Sequence, residues 1–419
     1  MKKKLWDKIK LIRIIDVLNI FLFIIALPFS FFYKIFRKDL WLICEYDMYA
    51  RDNAFYLFEY LCINRPEVDA VYAINYNSPD YKKVSELGNT VKYGSLKHWV
   101  LYLSAHVNIS SQKGGKPNAA ICYILEILGL LKNNRVFLQH GIIKDDLPFL
   151  HYDNAKIGLF VCSAEREYNF VCENFGYEKE AIVKTGLCRY DKLIPVDTKE
   201  RIVAILPTWR EWIAKGNFYE MEFRKTNYFI MWNELLNHDC FINYVKENNL
   251  KLVFCQHREM NKFNSYFDID EKIVNHIKFD SEEIEDIILR SELLITDYGS
   301  IAFDFAYMKK SVIYYQPDYL EFREKHLPKG YYNYKKDGFG PVCVNLCGLF
   351  SEIVKWNEDE TWKFVYEDRI KNFFDFNDNK NCERNFYAII NKYGNVENNK
   401  IKDAIPVLKN RFAGEKINA

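Results

Sequence analysis

Four apolar runs in this 419-residue chain end in residues able to move protons or hold phosphate. RVFLQ leads into His140 and Gly141, and IVAIL into Pro207, Thr208, Trp209 and Arg210. KLVFCQ leads into His257 and Arg258, and ELLI into Thr296, Asp297, Tyr298, Gly299 and Ser300. An imidazole with a pKa of about 6.5 can take a proton from a hydroxyl near neutral pH, which makes His140 and His257 candidate acid–base groups. Either could equally be an ordinary histidine satisfied by its neighbours. A guanidinium suits two-pronged recognition of phosphate, the chemistry open to Arg210 and Arg258 if they are not plain surface residues. A strand, a short Gly/Ser turn and a helix start form a general anion site, because free N–H groups and the helix dipole both favour negative charge. DYGS followed by IAFDFAYM has that order, and Ser300 can add a hydroxyl. The competing reading is a βα loop whose Ser or Asp caps the helix. The chain has no H-E-x-x-H, Walker A, G-x-S-x-G or kinase signature, which disfavours those classes. No carboxylate cluster compels a metal site, and neither a metal nor a resident cofactor is expected.

Ligands of open α/β sheets bind beyond the carboxyl ends of strands, so the elements that carry these residues matter. Runs at 40–46, 69–75, 105–111, 135–141, 157–164 and 181–186 read as one series of strands. A second series runs through 201–209, 251–257, 276–280, 293–296 and 311–315. Strands rich in Val, Ile, Leu and Phe with helices between them predict parallel sheets covered on both faces. Two series predict an α/β chain of two Rossmann-like domains, 39–195 and 196–395, with the break at the polar stretch around Pro195 and a polar tail over 396–419. The eleven cysteines are scattered, odd in number and mostly in apolar runs, which predicts reduced core thiols.

The net charge of +1 argues against a general nucleic-acid binder, yet it hides an asymmetry. Residues 1–40 hold nine Lys/Arg against three Asp, a local +6, leaving −5 for the rest. Val17 to Tyr33 carries no charge, and basic residues flank it on both sides. Seventeen residues fall short of the roughly 20 needed for a span, and Asn19, Pro28 and Ser30 weaken the apolar run further. Residues 1–38 are therefore expected to be a membrane-associating leader that lies on or dips into anionic lipid, with a true span as the alternative.

Taken together and in order, the motifs resemble those of the CDP-glycerol glycerophosphotransferases, the polymerase and primase type of teichoic-acid and capsule synthesis. ARDNAFYLFEYL, FLQHGIIKDD, GLCRYD, ILPTWREW, FCQH and YYNYKKDGFGPV each match a family segment, and LLITDYGSIAFDFAYMKKSVIYYQPDYLEFR matches the long signature. The family's Ser-Ser pair is Gly299-Ser300 here, which removes one hydroxyl and keeps the turn. The resemblance implies a GT-B-like fold of two Rossmann-like domains facing a cleft, 39–195 for the acceptor and 196–395 for the CDP-alditol. It implies catalytic roles for His140 and His257, with Gly141, Arg210, Thr296, Asp297, Gly299, Ser300 and Asp304 at the substrate.

The implied reaction transfers glycerol phosphate from CDP-glycerol to a hydroxyl of a lipid-linked or polymeric glycan or teichoic acceptor and releases CMP. The implied location is the cytoplasmic face of the cell membrane. The rival readings are transfer from CDP-ribitol or another CDP-alditol, and a GT-B sugar-nucleotide glycosyltransferase; fold alone does not decide between them.

Overall fold

The structure, a computed structural model, describes residues 13–196, 199–279 and 283–394. Most of the basic part of the leader and the tail from 395 onward lie outside the described residues. Among the described residues, thirteen strands form two sheets. The first contains β1 (Trp41–Cys44), β2 (Ala70–Ile74), β3 (Asn89–Lys92), β4 (Val107–Ser110), β5 (Arg135–Phe137), β6 (Leu159–Cys162) and β7 (Ile182–Lys184), in the order β3-β2-β1-β4-β5-β6-β7. The second contains β8 (Arg201–Ile205), β9 (Leu250–Cys255), β10 (Val274–Ile277), β11 (Ser291–Thr296), β12 (Ser311–Tyr315) and β13 (Val342–Cys343), in the order β10-β9-β8-β11-β12-β13. Neighbouring strands pair in parallel throughout both sheets wherever a register is defined.

The pattern of burial explains the strand sequences. Every residue of β1, β2, β4 and β6 is buried, as expected where helices cover both faces. Along β11, Leu294 packs with Phe303 and Tyr314 on one face, while Leu293 and Ile295 pack with Trp232 and Phe254 on the other, following the two-residue repeat of a strand. The apolar-run reading missed β3 and β13. Both are short edge strands, and β3 (NTVK) buries only Val91. An edge strand is less enclosed and needs no continuous apolar run.

The helices that accompany the strands include α1 (Ile14–Phe36), α2 (Asn53–Asn64), α3 (Leu96–Ser104), α4 (Glu165–Asn174), α5 (Ile301–Tyr307) and α6 (Asn381–Tyr393). Asp52 caps α2 through the Asn53 N–H, and Ser95 caps α3 through the His98 N–H. The chain divides into two compact units, one of residues 1–138, 156–161 and 382–419, the other of 139–155 and 162–381. The segment after β5, which carries His140, thus belongs to the second unit. All eleven cysteines are free thiols.

Within the first unit, α1 lies along α3 with an unusual distribution of side chains. Its buried face holds Asp16, Asn19, Ala26 and Ser30. The polar members are satisfied there. Trp99 Nε1 donates to Asn19 Oδ1 at 2.9 Å, Asn118 Nδ2 donates to Asp16 Oδ1 at 2.8 Å, and the Ser30 hydroxyl donates to the Leu27 carbonyl at 2.8 Å. The outward face is apolar: Leu18, Phe21, Ile24, Ile25, Phe31, Phe32 and Phe36 are all exposed. Arg37 closes the helix with an ion pair to Asp69.

Candidate active site

The site is built at the carboxyl ends of β8, β9, β11 and β12, together with the loop that follows β5. That loop leaves Leu138 and turns at Gln139, a buried residue with φ of +67°. The left-handed turn throws His140 outward, where its side chain is exposed. Gly141 comes next, against the DYGS turn: a β-carbon on Gly141 would sit 3.0 Å from Ser300 Oγ and 3.4 Å from Ser300 Cβ. A larger residue at this position would crowd the serine side chain, which would have to give by a few tenths of an ångström. Ser300 is the N-cap of α5, yet its hydroxyl makes no capping bond. The reading of Ser300 as a mere helix cap therefore does not hold.

Arg189 reaches the same place. It forms an ion pair with Asp304 on the first turn of α5, and one guanidinium nitrogen lies 3.8 Å from where a Gly141 β-carbon would be. Asp304 is buried and committed to that pair. The pair puts one guanidinium beside the His140-Gly141 loop and the DYGS turn together.

Three of the sequence-derived substrate contacts face inward instead. Thr296 is fully buried and its hydroxyl donates to the Leu206 carbonyl at 2.7 Å. Asp297 is fully buried; its Oδ1 accepts the Thr208 N–H at 2.8 Å and the Tyr298 N–H at 2.6 Å. Arg210 is fully buried between two carboxylates, 2.9 Å from Asp297 and 2.8 Å from Asp318, and also donates to the Thr208 carbonyl at 3.0 Å. Burial opposes its charge, but Asp297 and Asp318 more than compensate and keep the guanidinium firmly protonated. Tyr298 donates its hydroxyl to Asp318 at 2.9 Å, and Gln316 Nε2 donates to the Asp297 carbonyl at 2.8 Å. These residues tie the loops after β8, β11 and β12 into one platform, and the turn continues through the buried Gly299 to the half-buried Ser300. A fork for phosphate needs exposed N–H groups, and Arg210 is fully buried between its two carboxylates.

His257 ends β9, half-buried and stacked on Trp209 with ring centroids 6.0 Å apart and planes 19° apart. Its Nδ1 accepts the Glu259 N–H at 3.3 Å. That bond leaves Nε2 to carry the proton of the neutral ring. Burial, followed by the charges of His140, Arg258 and His326, pushes the His257 pKa down to about 3. The ring is thus a neutral hydrogen-bond donor at physiological pH. His326 meets Trp209 at nearly a right angle, with centroids 5.0 Å apart, and its Nδ1 accepts the Glu211 N–H at 3.3 Å.

The back of the His140 loop is also fixed. Asp145 lies 2.5 Å from Lys144 Nζ and 2.6 Å from an Arg323 nitrogen. Burial alone would raise the Asp145 pKa, but the two cations hold it below its ordinary value. Arg189, Asp318, His326 and Glu167 were not among the residues singled out by type and spacing. Arg189 lies inside GLCRYD, and Asp318 follows the end of β12, so both carried a signal; Glu167, in a polar helical run, carried none. Among the described residues, no three His, Cys, Asp or Glu side chains gather as a metal site would require.

Residues 26–391 match the family described as CDP-Glycerol:Poly(glycerophosphate) glycerophosphotransferase. The chain is 33% identical over 383 residues to the minor teichoic acid biosynthesis protein GgaB of Bacillus subtilis strain 168, covering 87% of this chain and 41% of that protein. It is 23% identical over 239 residues to the teichoic acid ribitol-phosphate polymerase TarK of Staphylococcus aureus strain NCTC 8325 / PS 47, covering 51% of this chain and 42% of that one. The chain thus spans less than half the length of these curated relatives. A solved structure of the wall teichoic acid polymerase TagF, a variant with CDPG, superposes with a TM-score of 0.61 at 14% identity over 94% of this chain and 98% of the other. The fold is GT-B-like.

Proposed function

The chain belongs to the CDP-glycerol:poly(glycerophosphate) glycerophosphotransferase family, and on that premise we propose that it transfers glycerol phosphate from CDP-glycerol to a hydroxyl of a lipid-linked or polymeric teichoic acceptor. The donor diphosphate rests at the Gly299-Ser300 turn, with Arg189 and the Nε2–H of His257 offsetting its charge. The acceptor oxygen attacks the phosphorus that carries glycerol and its proton passes to His140. The bond from that phosphorus to the oxygen bridging to CMP breaks, so a phosphodiester forms and CMP departs. Positioning and preset charge carry most of such a transfer. The scheme uses no metal and no resident cofactor. The observation that carries it is the meeting of the exposed His140, Gly141, Ser300 and the Arg189–Asp304 pair within one compact unit.

CDP-ribitol is the second reading, because relatives at comparable identity are ribitol-phosphate polymerases. The phosphate chemistry is the same and only the alditol pocket differs. A panel of CDP-glycerol, CDP-ribitol and a UDP-sugar, offered with a lipid-linked glycerol-phosphate oligomer, separates the readings. CMP released with CDP-glycerol supports the proposal, CMP only with CDP-ribitol supports the second, and UDP release would overturn both.

The proposed location is the cytoplasmic face of the membrane, held by α1. A surface helix in water turns polar groups outward; α1 buries Asp16, Asn19 and Ser30 and exposes phenylalanines and isoleucines. It is bound along its length to the first unit, an arrangement suited to lying in the lipid interface rather than crossing it. The basic residues flanking it favour anionic headgroups.

A further inference from the structure

Glu167 is buried at the third position of α4, and its carboxylate reaches out of the helix to the loop that carries His140. Oε1 accepts two hydrogen bonds from that loop: Gln139 Nε2 at 3.0 Å and the Ile143 N–H at 2.6 Å. Oε2 accepts the Ser163 N–H at 2.6 Å, at the helix start. One carboxylate therefore grips both ends of the five residues from Gln139 to Ile143, with His140 and Gly141 between. The grip has something to hold. Gln139 has a positive φ, which costs a residue with a β-carbon about 1 kcal/mol or more and persists only where surroundings impose it.

We propose that Glu167 is a positioning residue for the transfer: by clamping Gln139 and Ile143 it fixes the left-handed turn that points His140 at the acceptor hydroxyl and seats Gly141 against Ser300. This rests on the reading of His140 as the base. Glu167 touches neither substrate nor the reacting atoms. Its choice over a neutral amide follows from the count of donors. Three N–H groups converge on it from two directions, and only a carboxylate presents acceptors on both sides. Burial raises its pKa to about 7 against these hydrogen bonds, so the clamp is held in an environment that resists its charge.

The test uses the full chain with CDP-glycerol as donor and a lipid-linked glycerol-phosphate oligomer as acceptor. Glu167→Gln keeps the shape but sets an amide NH2 against the Ser163 N–H. Its kcat should fall about tenfold or more while the KM for CDP-glycerol stays within about threefold, the split expected when the reacting group is misplaced and the donor site is not. Gln139→Gly accepts the positive φ freely and removes the tether to Glu167, so it serves where Glu167→Gln fails to fold. It should lower kcat in the same sense, and the double variant should be no slower than Glu167→Gln alone. Parent-like kcat in folded Glu167→Gln or in Gln139→Gly, or losses that multiply in the double variant, would overturn the proposal. His140→Ala tells the two levels apart. If His140→Ala is inactive while the clamp variants turn over normally, only the clamp is wrong; if His140→Ala is active, the base assignment itself fails.

Discussion

Arg210 and His257 both looked like phosphate ligands by type, and burial gives each a different part. Arg210 has no exposed surface and pairs with Asp297 and Asp318, so its loss leaves two buried carboxylates without their cation. Breaking a buried pair from one side costs about 3–5 kcal/mol. Arg210→Ala should therefore lower the unfolding free energy by about that much in denaturant melts. A variant as stable as the parent would mean that the guanidinium is not part of the platform. His257 keeps a place at the surface, but its pKa of about 3 makes it a neutral donor rather than a standing positive charge. Spacing alone cannot distinguish these cases. An arginine after a strand end reads the same whether its fork meets a ligand or two carboxylates from loops about ninety and a hundred residues away in sequence.

The strands were legible as elements because full burial demands unbroken apolar runs, and ten of the eleven runs predicted in sequence coincide closely with β1, β2, β4, β5, β6, β7, β8, β9, β11 and β12; the eleventh, 276–280, overlaps only the last two residues of β10. The edge strands β3 and β13 were not, since partial exposure relaxes that demand. The leader was legible in charge and apolarity but not in orientation. Asn19 and Ser30 counted against a span, and they prove to be the inner stripe that docks α1 onto the first unit. This makes the outer face separable from the fold. Replacing the exposed Phe21, Ile24 and Phe31 together with Ser should release the protein from anionic vesicles in a flotation assay and leave its melting temperature within about 2 °C, because none is buried. Continued flotation would assign membrane binding to another surface.

Across the whole molecule, the +6 of the first forty residues and the −5 of the remainder suit the proposed division of labour. In that proposal the basic charge is for lipid, and anions are gathered locally, through Arg189, His257 and backbone N–H groups, without bulk basicity. Two parallel sheets and their sequence of motifs could be inferred from the chain alone, since strand ends mark where ligands bind in such folds. The Glu167 clamp could not, because nothing local distinguishes an acid that reaches to a loop from one that faces water. The central claim is that His140 removes the acceptor proton. Measuring CDP-glycerol binding by calorimetry and CMP release on the same preparations of the full chain and His140→Ala tests it most directly. The expected result is unchanged donor affinity with release slowed about 10²- to 10⁴-fold, the range for losing a general base. Near-parental release at full donor occupancy would contradict it.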